Sequence, residues 1–282
     1  MKPARRLPHW MKMKMPEGEN YSKVKNIVSK NHLHTICSSG NCPNIGDCWS
    51  RGTATFMILG DICTRSCKFC AVKTGRPLAP DYDEPGRVAE SVKLMQLKHC
   101  VLTSVDRDDL DDGGAGIWAL TIKKIKEQNN GITIEALIPD FRGNKDLLDS
   151  ILDAAPEIIS HNLETVERLT PVIRSVAKYS TSLEVLKYLT GSGARVKTGI
   201  MAGLGEKEAE IYQTMQSAFE TGCRIFTIGQ YLQPTFDHMP VAAYIPPEDF
   251  EKYKIAGLSM GFENVESAPL VRSSYNAENH IK

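Results

Sequence analysis

Six short apolar runs recur along the chain from Ala54 onward, and amphipathic stretches separate them. Runs of this length with helical patterns between them are typical of βα units and a parallel sheet. Six units are too few for a complete eight-unit barrel. The predicted strands are 54–62, 99–105, 133–140, 158–163, 196–205 and 224–232, and three of the predicted helices are 87–96, 145–155 and 206–222.

The cysteines are distributed unevenly, because six of the eight fall between Cys37 and Cys70, in two runs. The second run, Cys63-x3-Cys67-x2-Cys70, follows the first predicted strand and offers three thiolates within one loop. Three thiolates can hold three corners of a [4Fe–4S] cube and leave one iron without a protein ligand. A zinc site is the alternative, although structural zinc usually takes four protein ligands in CxxC pairs.

This CxxxCxxC loop, with Phe69 beside its last cysteine, resembles that of the radical SAM enzymes. The resemblance implies that the open iron chelates the amino and carboxylate groups of S-adenosylmethionine (SAM). It implies one-electron cleavage of SAM to methionine and a 5′-deoxyadenosyl radical, so that the cofactor carries the difficult chemistry. It also implies an α/β fold, a partial (β/α)6 barrel of the radical SAM type that is open along one side.

The first run, Cys37-x4-Cys42-x5-Cys48, indicates a second, auxiliary cluster, and on its own a zinc knuckle or redox thiols would also explain it. Its spacing resembles that of the lipoyl synthase family, and so does the RSSY motif within residues 271–277. The resemblance runs from about Thr35 to Glu278. It implies that Ser274 completes the auxiliary [4Fe–4S] cluster through its hydroxyl oxygen. Because iron of this kind prefers thiolate, that bond would be a plausible place for the cluster to open and release sulfur.

The acidic loop after the second predicted strand begins Asp106-Arg107-Asp108 and resembles the family's RDDL…DGGA loop. Active-site groups of parallel barrels gather at the C-terminal ends of the strands. Acidic side chains there would bind the methionine ammonium of SAM, and a solvated acidic turn is the alternative. The chain departs from the family at Asp106, where asparagine is common.

Further predicted SAM contacts lie on later strands. Glu135, a lone charge among apolar neighbours, needs a partner, and either a ribose hydroxyl, the cofactor amine or a structural salt bridge would serve. The planar fork of Arg174 suits the methionine carboxylate. Gln230 opens a segment that resembles the family's GQYLQP, whose backbone would flank the adenine. With Phe69 and the acidic loop, these residues make up the predicted cofactor site.

The resemblance to lipoyl synthases implies insertion of two sulfur atoms at C6 and C8 of a protein-bound octanoyl-lysine, with the auxiliary cluster as sulfur donor. Side-chain acids and bases cannot break such C–H bonds, which is why a radical cofactor is needed. The implied partners are octanoylated lipoyl-carrier domains (2-oxoacid dehydrogenase E2 subunits and the glycine cleavage H protein) and a ferredoxin or flavodoxin reductant. Another two-cluster radical SAM enzyme, or a non-enzymatic iron–sulfur or zinc scaffold, is the alternative.

The composition narrows the remaining function classes. Lys and Arg (34) balance Asp and Glu (34), so the chain lacks the basic surplus expected of a nucleic-acid-binding protein. No run approaches the roughly 18 apolar residues that span a bilayer, and no secretory signal pattern is evident. Clustered free thiols suit a reducing compartment, which favours the cytoplasm. Cys100 and Cys223 lie in apolar runs and are predicted to be buried strand residues.

Three regions are predicted. Residues 1–53 form an N-terminal extension that carries the auxiliary cysteines, residues 54–268 form the barrel, and residues 269–282 form a tail with the RSSY motif. The first 30 residues are rich in Lys, Met and Arg and are interrupted by Pro3, Pro8 and Pro16. They are expected to be an arm that is laid on the surface or partly disordered, with docking to an acidic partner as an alternative role.

Overall fold

Strands and helices alternate along most of the chain, as the apolar runs predict. The computed structural model describes residues 7–13 and 15–281. The α-helices are α1 (Gly18–Lys30), α2 (Ile36–Ser39), α3 (Ile45–Ser50), α4 (Glu84–Leu94), α5 (Ala115–Gln128), α6 (Lys145–Asp153), α7 (Thr170–Ile173), α8 (Tyr179–Gly191), α9 (Glu208–Glu220) and α10 (Pro247–Met260). The strands are β1 (His34–Thr35), β2 (Thr55–Ile58), β3 (Ile62–Cys63), β4 (Lys73–Thr74), β5 (His99–Ser104), β6 (Thr133–Leu137), β7 (Ile158–Ser160), β8 (Val196–Ala202), β9 (Ile225–Gln230) and β10 (Asn264–Ser267).

Eight of the strands form one sheet in the order β1-β2-β5-β6-β7-β8-β9-β10. Every neighbouring pair is parallel except β1 and β2, which are antiparallel. The six predicted strands are confirmed as β2 and β5 to β9. Because the order begins with β1 and ends with β10, the sheet is an open, partial barrel. The short strand β1 and the parallel strand β10, which extend it at its two edges, were not predicted.

The core lies between the parallel strands and the helices that cover them. Trp118 of α5 and Phe226 of β9 are completely buried, and the Trp118 indole donates a hydrogen bond to Ser104 Oγ (3.2 Å). Full burial of one large apolar side chain contributes roughly 1.5–3 kcal/mol. Cys100 and Cys223 are both fully buried in this core, as predicted. They therefore stand apart from the six clustered cysteines.

The prediction of a surface arm over the first 30 residues is wrong for residues 18–30, which form α1. Val24 and Val28 lie one turn apart and are buried, while the lysines between and beside them are exposed. Tyr21 of the same helix contacts Trp49 of α3, with ring centroids 5.3 Å apart. A narrow apolar stripe thus holds the helix against α3, and the basic composition conceals that stripe. Pro8 precedes the helix, and Pro3 lies outside the described residues.

In the part of the chain that the structure describes, no helix combines the length and the apolar character needed to cross a membrane.

The C-terminal segment turns back from β10 and lies directly against β9. A Cβ atom at Gly229 would come within 2.0 Å of the Val271 carbonyl oxygen, so only glycine permits this approach. Gln230 N donates to Pro269 O (3.2 Å), and Asn44 Nδ2 donates to Leu270 O (2.7 Å). The segment ends in a 3-10 helix, Ala277–Ile281, in which Ala277 and His280 are buried. The tail is therefore part of the packed structure.

Candidate active site

A cavity of about 340 Å³ opens at the C-terminal ends of the parallel strands. Its walls come from the residues that follow β5, β6, β7 and β9 and from the C-terminal segment. We refer to it as the large cavity. Five of the six clustered cysteines line it, namely Cys37, Cys42, Cys63, Cys67 and Cys70.

The CxxxCxxC loop is held at both of its ends. Strand β3, which ends at Cys63, pairs with β4, and Gly75 N donates to Cys63 O (3.0 Å). At the other end, the His238 ring lies 2.8 Å from the Cys70 carbonyl oxygen through Nε2. Lys68 N donates to Ile173 O (2.8 Å) in the middle of the loop. These contacts fix the three thiols at one wall of the large cavity.

Arg65 lies between the first two cysteines of this loop and is buried. Its guanidinium donates two hydrogen bonds to Asp108 (2.7 and 2.9 Å) and two to Asp140 (3.0 and 2.8 Å). Burial alone would raise the pKa of Asp140, but the hydrogen bonds and charge of Arg65 lower it to about 2. Burial raises the pKa of Asp106, while Arg65 opposes that shift. Arg65 therefore ties the cysteine loop to the ends of β5 and β6.

The other three clustered cysteines meet the C-terminal tail. Cys37, Cys42, Cys48 and Ser274 together line a second, smaller cavity, and Cys48 is the member that does not reach the large one. The thiols are placed by α2 and α3: Cys42 N donates to Cys37 O (3.0 Å), and Cys48 N donates to Asn44 O (2.8 Å). Three of these four residues, Cys37, Cys42 and Ser274, also face the large cavity. The two cavities are therefore neighbours.

All six clustered cysteines are free thiols. Burial raises the pKa of Cys37 to about 12, of Cys63 to about 11 and of Cys70 to about 12, and it raises the pKa of Cys42, Cys48 and Cys67 in the same direction. Thiols of this kind become thiolates when a bound metal supplies compensating positive charge. Two groups of three thiols thus fit two iron–sulfur clusters in their donor chemistry. Among the described residues, no three or more His, Cys, Asp or Glu side chains are grouped so as to hold a single metal ion.

Four of the predicted SAM contacts line the large cavity, namely Phe69, Asp106, Arg174 and Gln230. Arg174 is buried and donates one hydrogen bond to Ser182 Oγ (2.8 Å). The side-chain amide of Gln230 is occupied: Nε2 donates to Ala243 O (3.0 Å), and Oε1 accepts from Ile245 N (2.8 Å). A contribution of Gln230 to cofactor binding therefore has to come from its backbone.

Three predicted contacts are placed outside the large cavity, and each has a charged partner nearby. Arg107 forms a salt bridge with Asp109 (2.9 Å), and Asp108 binds Arg65. Glu135 binds Lys197 in the interior of the barrel. The structural salt bridge, which was the alternative for Glu135, is the arrangement observed. Buried charges are costly without a partner, and the partner here is a side chain of the protein.

Sequence reasoning missed several groups at the site. Glu164 lines the large cavity and has a left-handed backbone conformation (φ 68°). Its main-chain N donates to Gly199 O (3.0 Å), and its main-chain O accepts from Met201 N (2.9 Å). Burial raises the pKa of its carboxyl group, and Arg174 opposes that shift. Arg65 and Lys197 were also missed. The available signal for Lys197 was a lone charge in an apolar strand, the same signal that singled out Glu135.

Comparisons with known proteins give the family of this chain. Residues 57–218 match the model of the Radical SAM superfamily, and residues 1–42 match that of the N-terminal domain of lipoyl synthase. The lipoyl synthase of Bacteroides fragilis is 60% identical over 277 residues, which cover 98% of this chain and 96% of the relative. The mitochondrial lipoyl synthase of Nematostella vectensis is 58% identical over 275 residues, 97% of this chain and 94% of the relative. The chain belongs to the lipoyl synthase family.

Solved structures of distant proteins share the fold. SuiB from Streptococcus suis, bound to S-adenosylmethionine, has a TM-score of 0.60 at 11% identity and covers 76% of this chain and 50% of its own. Methylornithine synthase has a TM-score of 0.52 at 14% identity, with 77% and 72% coverage. At these identities the likeness concerns the fold alone, and it supports the radical SAM partial barrel.

Family membership makes this protein a radical SAM enzyme, and that superfamily uses a [4Fe–4S] cluster and SAM. The large cavity offers the three thiols of the CxxxCxxC loop and several polar groups at the strand ends, where a parallel barrel places its active site.

Proposed function

We propose that the protein inserts two sulfur atoms, at C6 and C8 of a protein-bound octanoyl-lysine, with an auxiliary [4Fe–4S] cluster as the sulfur donor. The observation that carries the proposal is the shared lining of the small cavity by Cys37, Cys42, Cys48 and Ser274. These residues come from the two ends of the sequence, and three of them also face the large cavity. A sulfur donor held there would be next to the site of radical formation.

When bound, the cluster at Cys63, Cys67 and Cys70 would supply the electron that cleaves SAM, and the auxiliary cluster would supply sulfur. The residues of the chain hold and orient these groups. Three thiolates at each site leave one iron open at the first and one for the Ser274 hydroxyl at the second. The hydroxyl is the weakest of the auxiliary ligands, because iron of this type prefers thiolate.

SAM is proposed to bind in the large cavity between charges of opposite sign. Arg174 would donate to the methionine carboxylate through its planar guanidinium, most of whose donors are not used by Ser182. Asp106 and Glu164 line the same cavity and would accept from the methionine ammonium. Phe69 would pack beside the cofactor, and the backbone at Gln230 would flank the adenine. The buried walls would exclude water from a reactive radical.

The proposal assigns roles to three regions: residues 1–53 and 269–282 hold the auxiliary cluster, and residues 54–268 generate the radical. It also requires partners. Octanoylated lipoyl-carrier domains (E2 subunits of 2-oxoacid dehydrogenases and the glycine cleavage H protein) would present the substrate, and a ferredoxin or flavodoxin would supply electrons. The cytoplasm stays the predicted compartment.

Replacing each of the two groups of cysteines in turn tests the proposal. We expect alanine at Cys63, Cys67 and Cys70 to abolish 5′-deoxyadenosine formation. Alanine at the three upstream cysteines should preserve SAM cleavage and stop the formation of lipoyl product. Both products would be measured by mass spectrometry after anaerobic incubation with SAM, dithionite and an octanoylated carrier. Loss of SAM cleavage in the upstream variant, with its other cluster intact, would show that the division is wrong.

Iron analysis addresses the second cluster directly. After anaerobic reconstitution the protein should hold about eight irons with matching labile sulfide, and each triple-cysteine variant should hold about four. A wild-type content of about four irons would contradict the auxiliary cluster. Bound zinc in place of iron would support a non-enzymatic scaffold.

A further inference from the structure

Lys197 of β8 is a fully buried lysine inside the barrel. Its ammonium lies 2.9 Å from both carboxylate oxygens of Glu135 on β6, which is also fully buried. Ser160 Oγ, on the strand between them, donates to the same carboxylate (2.8 Å). Such a pair is satisfied electrostatically, yet the cost of removing two charges from water means that it contributes little net stability.

The same ammonium reaches the C-terminal tail. It donates a hydrogen bond to the main-chain oxygen of Ser273, and it lies 3.2 Å from Nδ1 of His280. His280 is 1% exposed and belongs to the 3-10 helix that ends the described chain. Lys197 therefore links the interior of the barrel to two separate points of the tail. An apolar pair of equal volume at these two strand positions would not make these contacts.

The contact with Ser273 matters because of the residue that follows it. Ser273 is held at two atoms: its carbonyl oxygen by Lys197, and its hydroxyl by Asn162 Nδ2 (2.7 Å). A carbonyl oxygen fixes the plane of the peptide that it belongs to, and that peptide leads directly into Ser274. Fixing this plane limits where the Ser274 side chain can point. Ser274 lines both the small and the large cavity.

We propose that Lys197, in its ion pair with Glu135, is a positioning residue that anchors the C-terminal tail and presents the Ser274 hydroxyl to the auxiliary site. The anchoring itself is independent of the chemistry, and only the role of Ser274 rests on the proposed function. Lys197 lines neither the large nor the small cavity. Its effect passes through the peptide between Ser273 and Ser274.

Hydrogen exchange in the cluster-free protein tests the anchor. The variant Lys197→Met/Glu135→Gln removes both charges together, so that no buried charge is left unpaired. We expect amide exchange in residues 269–281 to rise about tenfold or more, while β5 to β8 keep their protection. The matched control is Lys126→Met/Glu157→Gln, which removes a part-exposed ion pair (2.9 Å) between Lys126 of α5 and Glu157, the residue before β7, and for which tail exchange should equal that of the wild type. Equal tail protection in the folded Lys197 variant would overturn the proposal.

A second variant covers the case in which the double variant does not fold. His280→Ala keeps the Glu135 pair and removes one of the two tail contacts of Lys197. Its tail should exchange at least about threefold faster than that of the wild type, and unchanged exchange would overturn the proposal.

Spectroscopy of the reconstituted protein then separates this inference from the proposed function. In the Lys197 double variant, the Mössbauer spectrum of the auxiliary cluster should lose the contribution of an oxygen-bound iron and match that of Ser274→Ala. Deoxyadenosine formation should persist in both. If Ser274→Ala itself has the wild-type spectrum while the tail of the Lys197 variant is loosened, the anchor stands and the assignment of Ser274 fails. If the tail is loosened but the oxygen-bound iron is retained, the presentation of Ser274 by Lys197 is refuted.

Discussion

The carboxylate of Asp140 accepts two hydrogen bonds from the guanidinium of Arg65, at 3.0 and 2.8 Å. One residue belongs to the CxxxCxxC loop and the other follows β6, so this contact ties the loop to the barrel. The carboxylate of Asp108 accepts two further hydrogen bonds from the same guanidinium. The position of the three thiols therefore depends on an arginine that is not a ligand in our proposal.

Replacing Arg65 with lysine should destabilise the cluster-free protein. A lysine ammonium cannot form four hydrogen bonds in the planar geometry of arginine. We expect a loss of roughly 2 kcal/mol, which lowers the melting temperature by roughly 4–8 °C in a chain of this size. Thermal unfolding followed by circular dichroism measures it. Arg142→Lys is the control, because Arg142 is exposed and contacts the same Asp108 (3.1 Å); an equal loss in that variant would refute the special role of Arg65.

Acid should weaken the protein through Asp140. Its folded pKa is about 2, below the ordinary value of 3.8, so its contribution to stability is complete above about pH 4 and is lost as the pH falls toward about 2. Because one pKa unit corresponds to about 1.4 kcal/mol, the loss of folding free energy is roughly 2 kcal/mol. Urea unfolding of the cluster-free protein between these pH values should show this loss as a decrease of the unfolding free energy with falling pH, both in the wild type and in an exposed control, Asp153→Asn. The slope should be reduced in Asp140→Asn, and an unchanged slope there would contradict the assignment.

The six parallel strands could be predicted because each is buried on both faces and therefore reads as an apolar run. The same pattern identified Cys100 and Cys223 as core residues. The meeting of Ser274 with Cys37, Cys42 and Cys48 could not be derived from periodicity. It depends on how the tail returns along β9, and only the resemblance to a family pointed to it.

Charges were the least predictable part of the site. Glu135 was recognised as a buried charge, but its partner lies on a strand far along the sequence, and apolar patterning carries no information about such pairs. Arg107 and Asp108 were predicted to lie in the cofactor site because they follow a strand and resemble the family's RDDL…DGGA loop. Their side chains instead form ion pairs with Asp109, which is exposed, and with the buried Arg65. Helix α1 was missed because lysines outnumber its few buried apolar residues.

If the auxiliary cluster is the sulfur donor, the sulfur in the product must come from the protein. Enzyme reconstituted with sulfur-34 sulfide should place the heavy isotope at both new C–S bonds, which mass spectrometry of the carrier peptide can measure. The amount of product should not exceed the amount of protein, because the cluster is consumed. Unlabelled product, or sustained turnover without a system that rebuilds the cluster, would rule out this donor.

Substitutions at Ser274 and Ser273 test whether the hydroxyl of Ser274, and not that of its neighbour, is a ligand of the auxiliary cluster. An oxygen ligand binds this kind of iron less tightly than a thiolate does, so the bond to Ser274 should be the one that breaks when sulfide is released. Ser274→Cys should hold the cluster too firmly, and Ser274→Ala should leave it open and fragile. Both should lose at least about tenfold in lipoyl product and still form deoxyadenosine, because the other cluster has its own three thiolates.

Ser273→Ala is the matched control, since it removes a hydroxyl one residue away that binds Asn162 (2.7 Å). The anchor on the Ser273 carbonyl oxygen survives in that variant, so it should retain most of its lipoyl formation. Deoxyadenosine and lipoyl product would be quantified together for the three variants in one anaerobic assay. Full lipoyl formation by Ser274→Ala would show that this hydroxyl is not a working ligand. A loss in Ser273→Ala equal to that in Ser274→Ala would mean that the tail as a whole, and not the oxygen of Ser274, is what the auxiliary site requires.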